Sequence, residues 1–210
     1  MSTVLEAPAT VATLPLKTAK QIASMVVFTD SKKGHVPALQ LIKITFDRNN
    51  ITAVATDRYC AAFAQWGYDA TDGPELGSVY LDAAAAKFIT GLVARPGAVV
   101  EFETEPNGQL RVAYQQYSDY QAMHAVPAFT GKFPAVETLF DDLVVGGVEK
   151  LALNVGFLAK LGKLIGDDGK KLDQAWQFTY HTAQNPNRPS PIVATNSAYK
   201  VLIQPNLIKP

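Results

Sequence analysis

Hydrophobic and polar positions along the chain switch between a helical and a strand-like period, and the same succession recurs. Over residues 14–27 (LPLKTAKQIASMVV), Leu16, Ala19, Ile22 and Val26 recur at helical spacing and predict one helix with an apolar stripe. Lys17 and Lys20 fall off that stripe. Strand-like runs follow at 38–47 (ALQLIKITFD) and 51–66 (ITAVATDRYCAAFAQW), and the Asn49-Asn50 pair between them suits a tight turn. After a strand at 77–81, a second helix is predicted over 82–93 (DAAAAKFITGLV), with Asp82 as N-cap, Lys87 off its stripe and Pro96-Gly97 as its stop. Strands at 98–103, 109–115 and 118–124 come next, the first two joined by the hairpin signal Pro106-Asn107-Gly108.

Residues 127–147, with Gly131, Phe133-Pro134 and Gly146-Gly147, read as a connector. A third unit begins with a strand at 150–153. Asn154 then caps a helix over 155–165 (VGFLAKLGKLI), whose buried stripe is Phe157, Leu158, Leu161 and Leu164 and whose Lys160 and Lys163 point elsewhere. Gly166 and the Asp-Asp-Gly after it end the helix, and strands at 175–181, 191–195 and 199–203 complete the unit. Three helix-plus-strands units indicate internal repetition. The expected fold class is α+β, with helices on one face of antiparallel sheets. The expected division is a flexible tail at 1–12, a first domain of two units at 13–130, a connector at 131–148 and a shortened second domain at 149–210.

Composition narrows the function classes. The chain has 210 residues, 48% of them hydrophobic, enough for a sizeable core. Lys plus Arg and Asp plus Glu are both 19, so there is no net charge. A protein that holds nucleic acid by bulk charge is basic, so any DNA contact here needs a local stripe of cations. The single cysteine, Cys60, cannot form an internal disulfide and fits a reducing compartment. The first residues lack the basic-then-apolar pattern of a signal peptide, and no apolar run approaches the roughly 18 residues of a membrane span. A soluble cytoplasmic protein is expected.

Candidate chemistry is sparse. His35, His124 and His181 are far apart without ligand spacing and read as solvated or edge residues. Cys60, in a strand, reads as a buried thiol. Asp141-Asp142 and Asp167-Asp168-Gly169 lack the alternating oxygen ligands of a calcium loop, and neither Gly-rich phosphate motif occurs. No cofactor or metal is expected. Thr56-Asp57-Arg58 admits two readings: a catalytic acid beside a cation, or a strand-end Asp whose carboxylate accepts backbone N–H groups. The second is favoured, because no further catalytic group clusters with it. The helix lysines Lys17, Lys20, Lys87, Lys160 and Lys163 would line one positive surface if the helices lay side by side, although lysines on a wet helix face are ordinary.

The stretch 39–64 (LQLIKITFDRNNITAVATDRYCAAFA) adds a resemblance. It is similar to the bacterial sliding clamp, the β subunit of DNA polymerase III, whose domains carry a strand pair ending Ala-Thr-Asp-Gly-His-Arg-Leu-Ala. Here Ala55-Thr56-Asp57 keep the start, and Arg58-Tyr59-Cys60-Ala61 stand in place of Gly-His-Arg-Leu. Gly131-Lys132-Phe133-Pro134 resembles the segment that closes a clamp domain. Residues 151–165 (LALNVGFLAKLGKLI) resemble the helix start of the final half-domain, and 199–207 (YKVLIQPNL) the clamp's ending.

The resemblance, which covers nearly all of 12–208, implies a DNA-clamp fold with helices lining a hole for duplex DNA, contacted without regard to sequence. By it, Lys17, Lys20, Lys87, Lys160 and Lys163 face DNA. It also implies a pocket for a short Gln/Leu/Phe-type peptide of DNA polymerase and clamp loader, formed by Leu39, Thr56, Arg58, Tyr59, Cys60, Ala61, Gln204, Pro205 and Asn206. A chain this short cannot enclose a duplex alone, so the implied ring is a homo-oligomer: dimer, trimer or tetramer. The expected function is a polymerase processivity factor at the replication fork, not an enzyme. A clamp-like adaptor that does not encircle DNA and a small α+β enzyme built on Asp57 and Arg58 are the alternatives.

Overall fold

The computed structural model of the chain describes residues 9–30, 36–67, 77–117, 119–141, 144–146, 153–167, 169–172, 174–182 and 190–204. The first unit runs β1 (Ala9–Pro15), α1 (Leu16–Ser24), β2 (Ile42–Phe46), β3 (Asn50–Thr56) and β4 (Cys60–Gly67). The second runs β5 (Gly77–Leu81), α2 (Ala83–Gly91), β6 (Val99–Thr104), β7 (Leu110–Gln116) and β8 (Asp119–Val126). After the connector come β9 (Val144–Val145), α3 (Val155–Leu161), β10 (Gln177–Thr182), β11 (Ile192–Thr195) and β12 (Tyr199–Ile203). The α+β class expected from the pattern is what forms.

Local chemistry sets many boundaries. Asp82 caps α2 by accepting the Ala85 N–H at 2.8 Å, and Asn154 caps α3 by accepting that of Gly156 at 2.8 Å. Gly108, at φ +79°, closes the β6–β7 hairpin by donating to Glu105 O. Ile42, Ile44 and Phe46 alternate with less buried neighbours along β2, so one face of that strand enters the core.

The strands form two antiparallel sheets, β1-β6-β7-β8 and β5-β2-β3-β4-β12-β11-β10-β9. Units one and two exchange their first strands: β1 pairs with β6, and β5 pairs with β2. Their helices α1 and α2 pack together. The third unit joins through its last strand, β12, which extends the first unit's sheet beside β4. Buried side chains form one main core through all three units, from Leu14 and Ile22 through Phe102 to Leu161, Leu164 and Tyr199. A smaller cluster on the other face of the long sheet packs Val54, Ala61 and Val136 with Phe63, Phe133, Phe140 and Leu202.

The order of the long sheet is a palindrome. Cys60 faces Ile203, and Tyr199 faces Ala64. Exchanging the two units leaves that register unchanged, so the β4–β12 seam is a local two-fold between units one and three. β9 pairs with β10 on the side where β5 pairs with β2.

The pattern reading departs from the structure at several points. Residues 9–12 begin β1 rather than belonging to a tail, because the edge of β6 supplies partners for their backbone. Residues 37–40 form a 3₁₀ turn, which Pro37 starts, so β2 begins at Ile42. The run 51–66 is two strands, because the turn at Asp57–Tyr59 breaks it. Residues 144–145 of the connector form β9. Helix α3 ends at Leu161, and Leu158 of its predicted stripe is exposed while Leu161 and Leu164 are buried. His181 is buried in β10 rather than solvated, whereas His124 lies on the edge strand β8 as expected, stacked on Phe88 at 5.6 Å. His35, residues 150–152 of the strand expected at 150–153, Asp142 and Asp168 lie outside the described residues, and Leu153 is not in a strand.

Candidate partner pocket and helix face

The turn between β3 and β4 is held by side chains that fold back on their own backbone. Asp57 Oδ1 accepts the N–H groups of Tyr59 (3.0 Å) and Cys60 (2.8 Å). Thr56 Oγ1 donates to Cys60 O at 2.8 Å and accepts the Arg58 N–H at 3.2 Å. The strand-end reading of Asp57 is therefore the one the structure adopts. Its second carboxylate oxygen pairs with Lys160 Nζ, and that ammonium also lies 5.8 Å from the ring centres of Phe28 and Phe157. Arg58 takes φ +81°, the left-handed region, at the place where the clamp pattern has Gly.

The turn lies beside the end of the chain's last strand, where Gln204 N–H donates to Tyr59 O at 3.0 Å. Thr56, Arg58, Tyr59, Cys60, Ala61 and Gln204 are thus brought together by one hairpin and its pairing with β12. Their side chains divide. Tyr59 is 63% exposed, whereas Cys60 lies in the main core and Ala61 in the smaller cluster on the opposite face. Leu39 is buried at the end of its 3₁₀ turn, its carbonyl accepting the Asp30 N–H at 2.7 Å. Pro205 and Asn206 lie outside the described residues. Burial pushes the Cys60 thiol up to about 12, with the Asp57 carboxylate adding to it and Lys160 opposing, so it is no nucleophile at neutral pH. A pocket of about 100 Å³ opens elsewhere, between Tyr80, Thr104, Leu110 and Phe129, and includes none of the predicted residues.

The predicted helix lysines divide as well. Lys17, Lys87 and Lys163 are exposed and Lys20 is half-buried. Lys17 stands 3.9 Å from Asp167 in an exposed pair that contributes little. Lys160 is drawn in by Asp57 and serves the turn. What ties α1 to the turn that follows α3 is a polar cluster that the pattern did not reveal. Gln21, buried on α1, donates to Asp167 (3.0 Å) and accepts from Trp66 Nε1 (3.1 Å). The Tyr199 hydroxyl reaches Gln21 O (3.2 Å) and Ile165 O (2.7 Å), and Ile165 N–H reaches Ser24 Oγ (3.2 Å). A glutamine and a serine among the apolar positions of the first helix were the available signal.

A second missed signal is a repeat. Asn196 Oδ1 accepts the N–H groups of Ala198 (2.9 Å) and Tyr199 (2.8 Å), as Asp57 does those of Tyr59 and Cys60. Ala194-Thr195-Asn196 therefore repeats Ala55-Thr56-Asp57 in sequence and in geometry.

No family model matches the chain, and no curated protein does. Solved structures do. A candidate DNA polymerase III beta subunit from Eubacterium rectale superposes with a TM-score of 0.64 at 10% identity, over 98% of this chain and 67% of that one. The beta subunit from Thermotoga maritima gives 0.59 at 11%, over 100% and 68%. The Helicobacter pylori beta clamp, bound to a DNA ligase peptide, gives 0.58 at 12%, over 94% and 67%.

The fold is that of the DNA polymerase III beta sliding clamps. The chain spans about two thirds of the length of those clamps. Within this fold, the exchange of β1 and β5 makes units one and two one helix-paired block, and β4–β12 makes the next unit continuous with it. Among the described residues no group of three or more His, Cys, Asp or Glu is placed to hold a metal ion. Nor is any helix among them long and apolar enough to cross a membrane.

Proposed function

We propose that this chain is a polymerase processivity factor of the sliding-clamp type: a homo-oligomeric ring that surrounds duplex DNA in the cytoplasm and tethers a polymerase without catalysing a reaction. The observation that carries the reading is the β4–β12 seam. It joins one unit to the next through the sheet while α1 and α3 bury apolar residues in the same core, which is how a wall with a helical lining is built. The last strand of unit two, β8, pairs only with β7 among the described residues. It offers an edge of the same kind to another copy.

In this reading Lys17, Lys20, Lys87 and Lys163 face phosphates and make loose contacts that permit sliding, while Lys160, on the same face, holds the turn. The surface at Arg58, Tyr59 and Gln204, held in place by the buried Leu39, Thr56, Cys60 and Ala61, takes a Gln/Leu/Phe-type peptide from polymerase or loader, with Tyr59 as the exposed aromatic anchor; Pro205 and Asn206 are assigned to the same pocket. With β1 included, residues 9–130 form the first clamp domain, 131–148 the connector and 149–210 the shortened second domain.

The test is primer extension on linear duplex DNA, where a ring threads from an end without a loader. Micromolar protein is expected to lengthen the products, and blocking both DNA ends is expected to abolish the gain. A gain that survives end-blocking means a non-encircling adaptor. Products of unchanged length at every protein concentration refute tethering.

A further inference from the structure

The third unit repeats the first closely enough to show which of its faces lacks a cover. The offset that carries Cys60 onto Tyr199 also carries Leu16, Ala19 and Ile22 of α1 onto Val155, Leu158 and Leu161 of α3. It likewise carries the contact of Gln21 with Asp167 onto that of Lys160 with Phe28. In the strands, Lys43 stands opposite Val54, and Thr179 opposite Val193, so Phe178 takes the place of Ile42. Leu16, Ala19 and Ile42 are all buried. Val155 is 75% exposed, Leu158 36% and Phe178 45%.

The difference has one cause. The face of unit one is covered by unit two, a second helix-and-sheet unit whose α2 packs on α1; the strand edges do not differ, since β9 pairs with β10 as β5 does with β2. Units one and two are already matched to each other, so neither is free to cover unit three. We propose that the Val155–Leu158–Phe178 face is covered by the same face of a second copy, across a two-fold axis. The occupant is a third unit because what covers the equivalent face is itself a unit of this build. A shared two-fold lets one apolar surface satisfy both chains. No acidic side chain lies on α3, and its one cation, Lys160, is turned to Asp57 and away from the patch. This contact is separate from the β8 edge, and it requires neither DNA nor polymerase.

Multi-angle light scattering on the whole chain, from 1 to 100 µM, tests it on wild type, Leu158→Glu and Phe178→Lys. Wild type is expected at a dimer mass or an even multiple, and each variant at half the wild-type mass with an unchanged unfolding temperature. Since both positions are exposed within one chain, loss of fold is not expected, and circular dichroism checks this. A wild-type monomer throughout the range overturns the proposal. Variants that keep the wild-type mass also overturn it. If they keep that mass but unfold earlier, a segment of the chain itself covers the face.

Discussion

Arg58 carries the clearest local strain among the described residues. At φ +81° its Cβ crowds the backbone, a conformation that costs an L-residue about 1–2 kcal/mol and a glycine almost nothing. Replacement by glycine relieves the strain but adds freedom to the unfolded chain, which returns about 0.4–1 kcal/mol. Arg58→Gly is therefore expected to hold or raise stability by up to about 1 kcal/mol, and Arg58→Val to lower it by at least about 1 kcal/mol, read from urea midpoints. Two buried acids contribute to stability at alkaline pH. Burial lifts the Cys60 thiol from 9.0 to about 12, and lifts the Tyr199 hydroxyl from 10.0 to about 12 against the opposing Ser24 hydrogen bond. Both are held protonated by folding, so their contribution is complete below pH 9 and is lost as pH rises from 9 towards 12. Urea midpoints are expected to fall over that range, and Cys60→Ala to delay the onset towards pH 10. Equal pH profiles for the variant and wild type would remove Cys60 from the explanation.

At the scale of elements, the two equivalent turns make a comparison within one molecule. Both use a side-chain oxygen to accept two N–H groups, but Asn196 does so without charge, while Asp57 also holds Lys160. Asp57→Asn is expected to keep the turn and lose the ion pair, at a cost of about 1 kcal/mol. Asp57→Ala loses both and leaves Lys160 without its partner, at a cost of about 2–3 kcal/mol. Thermal unfolding of the two variants ranks them, and equal costs would mean that the turn bonds contribute nothing. The capping residues Asp82 and Asn154 could be read from the chain because a cap is a contact within a few residues. The end of α3 at Leu161 could not, because the following turn is fixed by Tyr199 and Ser24, which lie far from it in sequence.

For the whole molecule, zero net charge makes salt dependence informative. Binding through a few exposed lysines gives a shallow slope of log affinity against log salt, near −0.9 for each phosphate neutralised. Lys87→Gln and Lys163→Gln are each expected to flatten that slope by about one, equally for unrelated duplex sequences. Lys160→Gln is expected to act on stability instead, because its charge is already paired. Fluorescence anisotropy with a labelled duplex from 50 to 200 mM salt measures both effects, and unchanged slopes would take these lysines out of the DNA interface.

Taken alone, the chain determined the kind and order of its elements: the helices α1, α2 and α3, the hairpin at Gly108, the caps, and a last strand at Tyr199–Ile203 that formed where expected. These follow from periodicity and from hydrogen bonds that close within a few residues. Tertiary structure decided the rest. Which strands exchange between units, that residues 9–12 join β6, and that residues 144–145 cap β10 depend on edges that exist only once the sheets have formed. Lys160 and Lys163 read alike on a helical wheel, yet Asp57, more than a hundred residues away, takes one of them and leaves the other to solvent. The exposure of Leu158 was settled in the same way. Its spacing marks it as apolar stripe, but burial requires a neighbour, and no pattern within the helix specifies one.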